Sequence, residues 1–254
     1  YVCHPSMGNN ELSGPIVSAA LAKWINSLES PYYTYRFIFI PETIGSIVYL
    51  SQHMEHLKSN VIAGFNITCV GDDRCYSFLP SRNGSTLADR VGKHVLSHID
   101  SDYKQYTWLD RGSDERQYCA PGVDLPIATI MRSKYDEYPE YHTSLDDLSL
   151  ISPAGLRGGL NAFIKAIEVI EFNCFPKAQV LGEPQLGKRG LYPETSTKES
   201  TDAVRTMMDF TTYADGEIDL LEIAEKINVP IWELYAIVKK LVQHGLISIS
   251  KEQK

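Results

Sequence analysis

No apolar run in this chain approaches the roughly 18–20 residues that a membrane-crossing helix needs, so the sequence offers no helical span. Positive charge is short as well. The 24 Lys and Arg are outnumbered by 32 Asp and Glu, and the net charge of −8 excludes a general affinity for nucleic acid or acidic membranes. The five cysteines (Cys3, Cys69, Cys75, Cys119, Cys174) are odd in number and scattered, without zinc-ribbon pairing. Free or buried thiols in a reducing cytoplasm are the simplest reading. An initiator Met and a signal peptide are also lacking. The chain opens on Tyr1-Val2-Cys3-His4-Pro5, which reads as the end of a strand. The expectation is therefore a fragment whose earlier strands are missing, with a processed N-terminus as the alternative.

What is present is the composition of an ordinary globular protein, 43% hydrophobic and 22% charged. Apolar residues at helical spacing (Ile16, Ala19, Ala20, Ala22, Trp24, Ile25) predict a helix over 14–28, with Pro15 in its first turn. Residues 33–40, aromatic and β-branched, predict a buried strand ended by Pro41, and 43–57 a second helix. Strands are expected at 60–70, 74–79, 103–108 and 125–131, with an amphipathic helix at 85–99 capped by Ser85. Ser152-Pro153 opens a long helix to about 174. Alternating strands and helices predict an α/β fold, a mostly parallel or mixed sheet with helices on both faces. Sites in such sheets lie at the carboxyl ends of strands, where polar clusters follow Cys3, Ile40, Trp108 and Met131. This domain is expected over 1–175. Residues 176–200, rich in Pro, Gly, Lys, Ser and Thr, read as a linker. A small winged helix-turn-helix is expected over 201–254, its two apolar faces (Leu220 to Ile227, Ile231 to Val242) joined by Asn228-Val229-Pro230.

Four segments could carry chemistry. In the first, His4 to Gly14, a histidine at a strand end could offer a ring nitrogen to a metal beside a Gly/Asn-rich turn. A capped turn with a surface histidine is an equal reading. In the second, Glu42 follows an apolar strand and could act as general base, or simply favour a helix N-terminus. The third holds Asp114 and Arg116. The fourth, Tyr138 to Leu148, sets His142 beside acidic residues able to orient its ring. Asp146 and Asp147 there are equally well capping or solvated charges. His94 and His98 have metal-binding spacing without a third ligand and are expected at the surface.

Together, Cys3-His4-Pro5-Ser6, Pro41 to Ser46, Asp114-Glu115-Arg116-Gln117 and Tyr138 to Ser144 resemble the zinc aminopeptidase superfamily. More narrowly, they are similar to bacterial aminopeptidase-like proteins associated with cell-surface polysaccharide biosynthesis, which have further N-terminal sequence and tend to end in a winged helix. The resemblance implies a metal site at His4 and His142, with Asn10 and Asp114 also in ligand positions. It places Asn10 where the superfamily has a bridging Asp, Thr43 where a second Glu is usual, and Asn66 where a further Asp is expected. A neutral amide holds two close cations poorly, so one zinc is expected rather than two. His4 and His142 would share that ion with a carboxylate from Glu42, Asp114 or Glu11. Glu42 would be the base, Asp114 would orient His142 or complete the coordination, and Arg116 would meet a substrate carboxylate unless held in an ion pair. Tyr141 joins Arg116 as a substrate contact.

The implied function is metal-dependent hydrolysis of an amide in a small peptide or aminoacyl compound. A degenerate binding or structural relative in polysaccharide biosynthesis is the alternative. A DNA-binding role is disfavoured, because the expected recognition helix has only Lys239 and Lys240 as basic residues. Packing against the main domain or a partner suits the winged helix better, and a homo-oligomer stays open.

Overall fold

A computed structural model describes residues 1–191 and 198–252. The chain forms two units, Tyr1–Ile167 and Glu168–Lys254. The first unit runs α1 (Ser13–Ile25), α2 (Ile44–Asn60), β1 (Gly64–Asn66), β2 (Ser77–Leu79), α3 (Leu87–Ile99), β3 (Lys104–Gln105), α4 (Glu115–Tyr118) and β4 (Ile127–Met131). It ends within α5 (Pro153–Phe172). The sheet order is β1-β4-β2-β3, with β1 parallel to β4, β2 antiparallel to β4 and β2 parallel to β3. The expected mixed α/β architecture is thus present.

Amphipathic spacing drives the helices onto this sheet. Ala88, Val91, Val95 and Leu96 of α3 are fully buried, and the Phe78 ring occupies the space left by the missing Cβ of Gly92. From α5, Ala162, Phe163 and Ala166 are buried, and Phe163 meets Phe65 of β1 edge-on at 5.9 Å. Thr86, rather than Ser85, caps α3. Its hydroxyl accepts the Asp89 N–H and Asp89 accepts the Thr86 N–H, while the Ser85 hydroxyl is spent on Asn83. His94, expected at the surface, is buried at 4% exposure and faces inward with Val91 and Val95; its neighbour His98 is exposed.

Residues 33–40 depart furthest from expectation. They are not a buried strand: they join no ladder among the described residues, and Phe39 is 52% exposed. Aromatic and β-branched residues favour an extended backbone, but burial requires neighbouring strands. A parallel bridge between Val2 and Pro41 is the pairing found, with Val2 N donating to the Ile40 carbonyl at 3.0 Å.

The second unit contains the winged helix. β5 (Phe175–Ala178) pairs antiparallel with β6 (Ile247–Ser250), and α6 (Lys198–Tyr213), α7 (Leu220–Lys226) and α8 (Ile231–Gln243) lie between them in sequence. β5 and the start of α6 fall where a linker was expected, because a strand whose partner lies far along the chain carries no local periodicity. Residues 192–197 of that expected linker are outside the described residues. Asp219 caps α7 by accepting the Glu222 N–H, and Asn173 binds both Asp219 Oδ2 and the Leu221 N–H. Asn228 takes the left-handed conformation (φ 55°) that turns α7 into α8.

Candidate metal centre

The first segment is built on an uncommon local structure. Ser6 reverses the chain at φ 77°, and Gly8–Leu12 then forms a π-helical turn that runs into α1. Such turns are rare and are often found at functional sites. Gly8 is required because a Cβ there would lie 2.5 Å from the Asp147 carbonyl oxygen, and Gly14 because a Cβ would lie 2.2 Å from that of Ile67. Asn9, Asn10 and Glu11 are all buried in this turn.

Glu11, at 3% exposure, is the carboxylate nearest His4. Its Oε2 accepts the Cys3 N–H at 2.7 Å, its Oε1 accepts the Asn10 side-chain amide at 2.7 Å, and His4 Nδ1 lies 3.5 Å from Oε1. His4 Nδ1 is itself buried and has no hydrogen-bond partner among the described residues. Cys3 Sγ completes a cluster in which thiol, imidazole and carboxylate atoms lie within 4.8 Å of one another. Asn10, expected as a ligand, spends its NH2 on Glu11 and turns its oxygen to Cys69 Sγ at 3.9 Å. It orients the carboxylate.

The Val2–Pro41 bridge brings the second segment alongside. Desolvation, together with the nearby Glu42 carboxylate, pushes the Cys3 thiol up to about 11. Thr43 has φ 60°, and its N–H donates to Asp114 Oδ1 at 2.7 Å, so the third segment pins the second. Burial raises the Asp114 carboxyl above its ordinary range and the Glu42 charge adds to this, while the Thr43 hydrogen bond opposes it. Arg116 donates from Nε to the Ser113 carbonyl at 3.0 Å and reaches Thr43 Oγ1 at 3.5 Å.

The fourth segment brings His142 against His4, with ring centroids 4.1 Å apart and planes tilted by 39°. His142 has φ 56°, and its ring stacks on Tyr141 at 3.8 Å. The loop is clamped by Glu140, which takes two 2.8 Å bonds from Arg74 and is pulled down to about 2 by that guanidinium. Asp146 is no solvated charge. At 2% exposure it accepts the backbone N–H groups of Asn9 (2.6 Å) and Asn10 (3.0 Å) and the Tyr138 hydroxyl (2.9 Å), tying the fourth segment to the first.

Glu115 is likewise buried. It accepts from the Gly112 and Ser113 N–H groups, the Tyr135 hydroxyl and the Asn66 amide. The structure therefore brings together His4, His142, Glu42, Asp114, Arg116 and Tyr141 from four segments, sets Glu11 of the three candidate carboxylates against His4, and adds Cys3 and Asp146. A carboxylate and a thiol beside a buried imidazole nitrogen that has no hydrogen-bond partner among the described residues suit a borderline-soft divalent cation such as zinc.

The family profile described as a domain of unknown function, DUF4910, matches residues 1–173. The chain belongs to this family. A winged helix-turn-helix profile matches residues 174–249 of the same DUF4910 chain. A Clostridium acetobutylicum protein, named for polysaccharide biosynthesis and an aminopeptidase-like domain, is 38% identical over 232 residues, 89% of this chain and 52% of its own length. A crystal structure from the same organism, described as a peptidase, superposes with a TM-score of 0.88 at 34% identity, covering 97% of this chain and 55% of that one. The DUF4910 chain thus spans about half the length of these relatives. A zinc aminopeptidase from Bacillus subtilis matches with a TM-score of 0.53 at 20% identity, over 63% of this chain and 41% of its own, a likeness of fold alone. The resemblance to aminopeptidase-like proteins ending in a winged helix is thereby met.

Proposed function

We propose that this DUF4910 chain carries the hydrolytic site of an aminopeptidase-like enzyme that cleaves an amide with the help of one zinc ion. The observation that carries the reading is the buried His4 Nδ1, which has no hydrogen-bond partner among the described residues, lies 3.5 Å from the Glu11 carboxylate and belongs to a ring whose centroid is 4.1 Å from that of His142. His4 and Glu11 would hold the ion, and His142 would face it from the opposite loop. Zinc supplies Lewis acidity, polarising a carbonyl and acidifying water.

The remaining work falls to this chain's own side chains. Glu42 accepts the proton of the attacking water at its carboxylate and delivers it to the leaving nitrogen. Asp114 holds Thr43 through its N–H and so fixes the backbone next to that base. Arg116, anchored on Ser113, offers its guanidinium edge to a substrate carboxylate, and the Tyr141 ring supports His142 from behind. Asn10 stands where a second ion would need a bridging carboxylate, which favours one ion.

The names of the relatives support a peptide or an aminoacyl-modified sugar as substrate, within polysaccharide biosynthesis. Five free cysteines suit a reducing compartment, here taken as the cytoplasm. No helix among the described residues is long and apolar enough to cross a membrane.

Elemental analysis of the purified chain tests the reading, beside His4→Ala and His142→Ala. One zinc per chain, lost or weakened in both, is the expected result. With metal retained, Glu42→Gln should lower amide hydrolysis by roughly 10²–10⁴-fold. Protein that stays metal-free after zinc is offered would overturn the proposal.

A further inference from the structure

Cys3 has no task in the mechanism above, yet it stands inside the cluster. Its Sγ lies within 4.8 Å of the His4 and Glu11 donor atoms, and its N–H is bound to Glu11 Oε2 at 2.7 Å. The bridge between Val2 and Pro41 brings the segment of Glu42 alongside that of Cys3. The residue is exposed, so its side chain can rotate without disturbing the core.

We propose that Cys3 Sγ is a ligand of the cation held at His4 and Glu11, making the centre a Cys-His-Glu site selective for zinc-like ions over magnesium or calcium. This rests on the metal reading of the same site. Bond lengths of about 2.3 Å to sulfur and about 2.0–2.2 Å to nitrogen and oxygen put tetrahedral ligand atoms roughly 3.3–3.7 Å apart. A contraction of about 1 Å by the exposed Cys3 side chain closes that gap. A divalent cation reverses the local charge, the S–H proton passes to Glu42 or to solvent, and the sulfur–metal bond forms. Cys3, His4 and Glu11 fill three of four tetrahedral positions and leave the fourth, on the side of His142, for that ring or for water. A thiolate also selects against hard cations, which prefer all-oxygen ligands.

Cobalt(II) titration of the whole chain tests this by absorption. One equivalent should produce a near-ultraviolet thiolate-to-cobalt charge-transfer band. Cys3→Ser should abolish the band, and Cys75→Ser should keep it. Zinc competition should show Cys3→Ser weakened by more than the roughly 10–100-fold typical of losing an outer-shell partner. An unchanged melting temperature for metal-free Cys3→Ser would confirm that the fold is intact. Stoichiometric cobalt without the band, bound as tightly by Cys3→Ser, would overturn the Cys3 assignment and leave the His4–Glu11 centre standing. Failure of the chain to bind either cobalt or zinc would overturn the metal reading itself, and this assignment with it.

Discussion

Three asparagines in the first unit each donate their side-chain amide to a buried carboxylate. Asn9 donates to Asp72 at 2.9 Å, Asn10 to Glu11 at 2.7 Å and Asn66 to Glu115 at 3.1 Å. At Asn10 and Asn66 a carboxylate would face a second carboxylate at hydrogen-bond distance, where two charges repel strongly. The amides make each pair a self-contained hydrogen-bonded one. Asn10→Asp should therefore lower the melting temperature of metal-free protein at neutral pH. The loss should shrink on acidification, because the crowded pair takes up a proton more readily folded than unfolded; melting curves across pH read this. Asp146 offers a second test at this scale. In Asp146→Asn one acceptor oxygen becomes a donor facing N–H and O–H groups, so the folded state should lose roughly 1–3 kcal/mol in urea unfolding. Zinc affinity should fall with it, since Asp146 holds the Asn10 backbone and the Asn10 amide binds Glu11.

At the scale of elements, close backbone approach decides more than propensity. α1 packs where Gly14 meets the Ile67 carbonyl, and a Cβ 2.2 Å from that oxygen has nowhere to go. Gly14→Ala would raise helix propensity and still destabilise, by about 1–3 kcal/mol in chemical denaturation, because overpacking outweighs the propensity gain. In the second unit, Asp219→Ala should cost about 1 kcal/mol through loss of the α7 cap, and also strips Asn173 of a partner. The amphipathic helices were legible from sequence because their spacing is local. The brevity of β1, β2 and β3, the failure of residues 33–40 to join a ladder among the described residues and the strand β5 were not. Each depends on what lies alongside in space.

For the whole molecule, acid sensitivity follows from one buried imidazole. Burial lowers His94 from 6.5 to about 4, with the neighbouring His98 adding to the effect. Between those values the unfolded chain takes up a proton that the folded chain refuses. His94 therefore contributes fully above pH 6.5, and its contribution is lost as pH falls towards 4. Urea midpoints compared at pH 7 and pH 4.5 should fall less steeply in His94→Gln than in the parent chain. The net charge of −8 bears on the winged helix. α8 carries Lys239 and Lys240, too few to neutralise a row of phosphates. Duplex DNA is expected to leave fluorescence anisotropy unchanged at moderate salt, and tight salt-dependent binding would contradict this.

By itself the sequence determined the α/β class, the winged helix and the four segments, since helical periodicity, turn residues and short ordered motifs are written along the chain. Only the tertiary structure decided which side chains face one another. Glu11 rather than Asp114 sits against His4, Asn10 serves the carboxylate beside it, Asp146 is a buried anchor and Cys3 joins the cluster. The physical reason is that donor geometry and burial arise from residues far apart in sequence, brought together by a π-helical turn and a single β-bridge that leave no periodic trace.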